Sequence, residues 1–174
     1  MSSAAPTRDD ALRAIVAATT HAVSDDPDKG HVVFRASGTG GDGVRTHLRI
    51  GEHTLLVDEP PALGGNREAP NPVEVALAGL LSCQVVTYRF WAAELGIPLD
   101  DISIEVEGDL DVRGFFGVDD AVRPGFGEVR VVVTLDGPAG AERYQELAAA
   151  VDAHCPVLDL FRNTTPVTTT VRTA

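Results

Sequence analysis

One long apolar segment, Asn71 to Pro98, constrains this chain more than any other feature. Asn71 suits an N-cap, Pro72 suits the first helical position, and Glu74 sits where a capping box needs its carboxylate. Gly96, Ile97 and Pro98 supply a glycine cap followed by a stop. Between these signals Val73, Leu77, Leu80, Leu81, Val85, Val86, Phe90 and Trp91 cover nearly every side of the helix. A helix apolar all round is a buried helix, so this one is expected to run through a core. Pro72 to Leu95 would be roughly 36 Å long at 1.5 Å per residue, and one small sheet covers one side of it at best. The uncovered side calls for a second copy of the chain, and a homodimer is expected. A membrane span is disfavoured, because Val73 to Ala93 carries Glu74, Gln84 and Arg89, whereas a span needs roughly 20 residues nearly free of charge.

The flanking sequence reads as α+β. Residues 1–30 look like a helical extension: Leu12, Ile15, Val16 and Ala18 recur at helical spacing, and Ser24-Asp-Asp-Pro-Asp-Lys-Gly30 ends the run. Residues 31–174 form the main domain. His31–Ser37, Val44–Ile50 and His53–Val57 read as a three-stranded meander, with Gly38-Thr-Gly-Gly-Asp-Gly43 as the first connection. Asp58 to Asn71 is a Pro/Gly-rich crossing of a length that is more often functional than idle. Ile102–Gly108 and Glu128–Asp136 alternate as half-buried strands. A helix is expected from about Ala141 to His154, ending where Pro156 bars Cys155 from helical geometry. A short helix from Pro156 to about Phe161 and a strand at Pro166–Arg172 complete the chain.

Composition narrows the function classes. Fourteen Lys and Arg against 26 Asp and Glu give a net charge of −12, a field that repels nucleic acid and anionic membrane surfaces. Met1 to Asp10 has neither a basic nor an apolar leader region, so a cytoplasmic location with reduced thiols is expected.

The two cysteines stand in different settings. Cys83 lies about three turns into the long helix, where burial raises a thiol pKa, on a stripe of small residues with Ala76 and Gly79. Cys155 caps the Pro156 helix, where free N–H groups favour a thiolate. Taken singly, each cysteine reads first as a small buried hydrophobe. A zinc-like set of Cys83, Cys155 and His154 matches no compact ligand spacing, and no metal is expected. Phe115, Phe116 and Phe126, on the Gly-rich connection between the later strands, are candidates to line an apolar substrate pocket, with Glu74 as a further pocket candidate.

Asn71-Pro-Val-Glu-Val-Ala-Leu-Ala-Gly-Leu-Leu-Ser-Cys83 resembles the cysteine-bearing helix of the OsmC/Ohr family, the osmotically inducible and organic-hydroperoxide-resistance proteins. Thr39-Gly-Gly41 and Asp58-Glu-Pro-Pro-Ala-Leu-Gly-Gly65 resemble its upstream strand and loop, and Cys155-Pro-Val157 with Thr165-Pro-Val167 is similar to its second cysteine and closing strand. The resemblance implies antiparallel sheets packed on long central helices in an intertwined homodimer. It also implies a thiol peroxidase for organic hydroperoxides. Cys83 would become a sulfenic acid, Cys155 would condense with it to a disulfide, and an external dithiol, rather than a bound cofactor, would reduce that bond. An arginine at or after the Thr-Gly-Gly turn would polarise the peroxide; Arg45 is the candidate, with Arg35 and Arg49 as competitors. Cap electrostatics alone would select Cys155 as the first thiol to react, whereas the resemblance and the small-residue stripe select Cys83. In the hydroperoxide-resistance branch a glutamate follows the Asn-Pro pair; here Val73 stands there, and Glu74 is rotated by about 100°. That departure keeps a second reading open, an OsmC-like dimer that binds a small apolar or electrophilic ligand without turnover.

Overall fold

The computed structural model describes residues 7–173. Helix α1 (Arg8–Asp25) precedes a three-stranded antiparallel meander, β1 (Ala36–Gly40), β2 (Thr46–Ile50) and β3 (His53–Val57). The long helix α2 (Pro72–Glu94) follows. A second antiparallel sheet pairs β4 (Asp101–Leu110) with β5 (Phe126–Asp136), the connection holding a single turn, α3 (Val112–Phe115). Helices α4 (Ala141–His154) and α5 (Pro156–Arg162) complete an α+β architecture.

The core sits where α2, α4, α5 and the inner face of β4–β5 meet. Leu80, Tyr88 and Ala92 of α2 pack with Ile97, Leu99, Leu147, Val151, Cys155 and Leu158. The sheet supplies Ile102, Ile104 and Val106 from β4, and Val129, Val131, Val133 and Leu135 from β5. Their spacing of two residues is what a strand needs to place every apolar side chain on one face. Each fully buried Leu, Ile or Val contributes about 1.5–3 kcal/mol of transfer free energy.

The capping box read at the start of α2 is present: Asn71 Oδ1 accepts from the Glu74 N–H at 2.8 Å, and the Asn71 N–H donates to Glu74 Oε2 at 2.8 Å. At the other end, α1 lies against α2 and donates to two carbonyls there, one in the last turn of α2 and one in the segment that follows it. Arg13 donates to the Ala93 carbonyl at 3.1 Å, and Arg8 donates to the Leu99 carbonyl at 2.7 Å. Helix α1 carries its own capping box, in which Thr7 and Arg13 hold the Asp10 carboxyl down at a pKa of about 2.

Three expectations are corrected. The first strand begins at Ala36, not His31, because its partner β2 turns back at Gly51 and the register ends with Ala36 opposite Ile50. Residues 31–35 run past that end, leaving Val32, Val33 and Phe34 exposed, Phe34 at 90%. Residues 166–172 form no strand, since a strand needs a free edge beside it and none in this chain meets them; Val167 and Val171 stay exposed. Within one chain α2 is buried along one stripe, Leu80, Gln84, Thr87, Tyr88, Ala92 and Ala93, and not all round. Val73 and Val86 face outward, and a Cβ added at Gly79 would meet nothing within 4 Å. The β1–β3 meander likewise adds no residue to the main core, and every residue of β1 is exposed.

Candidate functional site

The junction between α4 and α5 brings the two cysteines together from positions 72 residues apart in sequence (155 − 83). Pro156 starts α5, and the residue before it takes extended geometry, φ −81° and ψ 110° at Cys155. That geometry buries the Cys155 side chain, 2% exposed, against Cys83 on α2. Both thiols are free. They are close enough for Cys155 to act on Cys83 both as a hydrogen-bonding group and as a charge.

Cys83 is the thiol whose acidity the fold alters most visibly. Burial, the largest cause, pushes its pKa up. The backbone N–H of Val157 opposes this by donating toward the sulfur, and Cys155 reinforces the rise. The Thr87 side chain also lowers it, while Thr87 Oγ1 donates to the Cys83 carbonyl at 2.8 Å. The balance remains upward. Sequence reasoning placed the helix-cap effect on Cys155; the fold delivers it to Cys83. Pro156 has no N–H, so the first free donor of α5 belongs to Val157, and it acts on Cys83 across the junction. The proline after Cys155 was the visible signal, but only packing could show which sulfur lies in front of the donor.

Arg45 stands on the connection into β2 and is held within its own chain. Its Nη2 pairs with Glu68 Oε2 at 2.9 Å, and the side chain is 22% exposed, with Nε buried and without a hydrogen-bond partner among the described residues. Arg45 also helps keep the Asp58 carboxyl below its usual range, although the larger cause there is two backbone donors. Asp58, 2% exposed, accepts from the N–H groups of Asn66 at 2.9 Å and Glu68 at 3.2 Å, and so folds the crossing around itself. Gly65 makes this possible, since a Cβ there would lie 1.9 Å from the Glu59 carbonyl oxygen. Of the competing arginines, Arg49 donates to the Gly51 carbonyl at 3.3 Å and Arg35 is exposed on the approach to β1. Arg45 is therefore the half-buried, ion-paired member of the three. The groups acting on Cys83 come from α2, Cys155 and α5, so within one chain the structure joins the two cysteines but does not bring Arg45 into their set.

The remaining candidates separate. The Glu74 carboxylate is taken by the capping box and faces a small cleft with Asp58, Arg67 and Asn71. Phe126 stacks on Phe161, with ring centres 6.4 Å apart, and lines a cavity between α2, β5 and α5. Phe115 and Phe116 do not join it: they meet each other edge-on at 5.0 Å and are 66% and 58% exposed. Sequence reasoning missed Val157, Thr87, Asp58 and Glu68. Among the described residues no group of three or more His, Cys, Asp or Glu side chains is placed to hold a metal ion.

The OsmC-like protein family model matches residues 64–170, which include both cysteines and the elements that hold them. The chain belongs to the OsmC family. Solved OsmC-family structures share its fold. An OsmC-like protein from Mycoplasma pneumoniae superposes with a TM-score of 0.66 at 15% identity, over 75% of this chain and 88% of that one. An organic hydroperoxide resistance protein OsmC from Legionella pneumophila gives 0.59 at 24% identity, over 75% and 90%. The organic hydroperoxide resistance protein OhrB of Bacillus subtilis gives 0.55 at 23%, over 75% and 91%. No curated protein sequence matches the chain.

Proposed function

We propose that this OsmC-family chain is a cysteine peroxidase that reduces organic hydroperoxides at the expense of an external dithiol. The observation that carries the reading is the pairing of a half-buried Cys83 with a buried Cys155 beside the Val157 N–H. Cys83 thiolate attacks the outer peroxide oxygen, the O–O bond breaks, and the alkoxide leaves as the alcohol after taking a proton. The Cys83 sulfenic acid then condenses with the Cys155 thiol, releasing water and forming the disulfide, the usual rescue of a sulfenate by a neighbouring thiol. Two thiols of the reductant return both cysteines to the reduced state and are themselves oxidised to a disulfide. The Val157 N–H stabilises negative charge on the Cys83 sulfur, and Arg45 supplies the cation that polarises the peroxide. The working unit is a homodimer. The bare outer face of α2 and the exposed β1 support that assembly, because a second subunit would cover both.

Two observations favour the non-catalytic alternative: burial holds the Cys83 thiol up, and the clamp on Arg45 comes from Glu68 rather than from the start of α2. Turnover with cumene hydroperoxide and dihydrolipoamide separates the two readings. The wild type is expected to consume peroxide and dithiol in equal amounts, and Cys83→Ser to consume neither. Cys155→Ser is expected to perform a single stoichiometric oxidation that dimedone traps at Cys83. Dimedone labelling of Cys155 in place of Cys83, or a folded wild type with no peroxide-dependent thiol oxidation, would overturn the proposal.

A further inference from the structure

The cavity between α2, β5 and α5 measures about 720 Å³, within the range of roughly 300–1,000 Å³ typical of small-molecule sites. Neither cysteine lines it, so the chemistry above does not use it. Leu80, Val129, Val131, Val133, Leu158 and Phe161 give it an apolar part, and Arg123, Glu128, Asp152 and Arg162 line it as well. Beside the apolar part α2 puts Gln84 and, one turn later, Tyr88. Gln84 is 3% exposed, yet its Oε1 has no hydrogen-bond partner among the described residues. An unpaired buried polar group costs about 1–3 kcal/mol, and folded proteins keep few of them. The same helix carries leucine at 77, 80 and 81, and leucine at 84 would fill the position without that cost. Tyr88 is 4% exposed and lines the cavity, and burial together with the Asp152 charge raises its pKa, so it remains a protonated donor.

We propose that this cavity binds a small apolar molecule bearing a hydroxyl group, whose O–H donates to the Gln84 carboxamide while its oxygen accepts from Tyr88. A hydroxyl both gives and receives a hydrogen bond, which matches an acceptor and a donor one helical turn apart on the same face. The valine face of β5 receives the hydrocarbon part. The inference does not rest on the peroxidase reading, since it requires no cysteine and no turnover.

The test is a matched pair of probes, 1-octanol and octyl methyl ether, titrated by calorimetry into the full-length protein. The ether keeps the chain and the oxygen but lacks the donor. The wild type is expected to bind the alcohol about three- to tenfold more tightly than the ether, the range of one neutral hydrogen bond. Gln84→Leu, checked for folding by circular dichroism, should lose that preference while still binding the ether. Tyr88→Phe provides a second variant and should weaken both probes, since each keeps the accepting oxygen, while the preference for the alcohol remains. Equal binding of the two probes by the wild type, no binding of either, or a preference that survives in Gln84→Leu would each overturn the proposal. So would tight binding of octanoate that is indifferent to Gln84→Leu, which would place recognition at Arg123 on the cavity lining instead.

Discussion

Replacing Cys155 by alanine should shift the ionisation of Cys83 to lower pH, although it removes the partner thiol. Cys155 raises the Cys83 pKa through a hydrogen bond and through its charge, whereas the Val157 N–H lowers it and remains in the variant. Two raising influences therefore disappear while an opposing one stays. As long as the pKa exceeds the assay pH, each unit of decrease, equivalent to 1.36 kcal/mol, raises the thiolate fraction about tenfold. Nucleophilicity falls with basicity along a slope of about 0.4–0.5, which leaves a net gain of about three- to fourfold in rate per unit. Removing one heavy atom from a side chain only 2% exposed costs about 1 kcal/mol, which a domain of this size tolerates. The assay is alkylation of Cys83 by iodoacetamide from pH 6 to 10, followed by mass spectrometry of the Cys83 peptide. The expected result is a midpoint shifted to lower pH and a faster rate on the alkaline limb, where a charge on Cys155 would oppose ionisation of Cys83. Cys155→Val should shift it in the same direction, because valine retains bulk without a donor or a charge. An unchanged or higher midpoint in both variants would refute the reasoning, and a shift confined to alanine would assign the effect to opened space.

Burial raises the pKa of both Cys83 and Tyr88, so the folded chain holds these protons more tightly than the unfolded chain does. Their stabilisation is complete below the unfolded values, about 8.5 and 10, and is lost as pH rises through the folded ones. The melting temperature should therefore fall between pH 8 and 10.5, and a flat profile would contradict this. Asp58 shows the opposite sign: its pKa is lowered, so its contribution is present above the usual 3.8 and disappears as pH falls below that. Asp58→Asn should cost about 1–3 kcal/mol in urea melts at pH 7 and flatten the acid limb of the stability profile; wild-type stability would show that the crossing does not depend on this carboxylate. Gly65→Ala should destabilise the same crossing, since its methyl group would collide with the Glu59 carbonyl, and an unshifted melt would contradict that contact. Light scattering at micromolar concentration should give twice the chain mass of 18.3 kDa, and a single-chain mass would refute the homodimer.

Local chemistry and periodicity were enough to place most of the elements. The Asn71-Pro72-Glu74 cap, the alternation of β4 and β5 and the break forced by Pro156 each act within a few residues, and each appears in the structure where the sequence put it. The family, too, was legible, because its motifs surround both cysteines in the right order. Features that depend on a distant partner were not. Residues 31–35 and 166–172 have strand-like composition, but a strand exists only beside a neighbour's edge, and β2 ends before it can serve as one. The all-round apolar pattern of α2 stated how much surface must be covered, not which side this chain covers itself. Helix electrostatics predicted a favoured thiolate at the α4–α5 junction, and packing brought the Val157 N–H to bear on Cys83, far from it in sequence. Gln84 reads as one polar residue on an apolar helix; only the meeting of α2, β5 and α5 leaves it buried without a partner beside a cavity. Sequence fixes what a residue can do within its own turn or strand, because those contacts lie a few bonds away. Which groups oppose one another across the fold is set by packing, because that depends on the shapes of elements far apart in the chain.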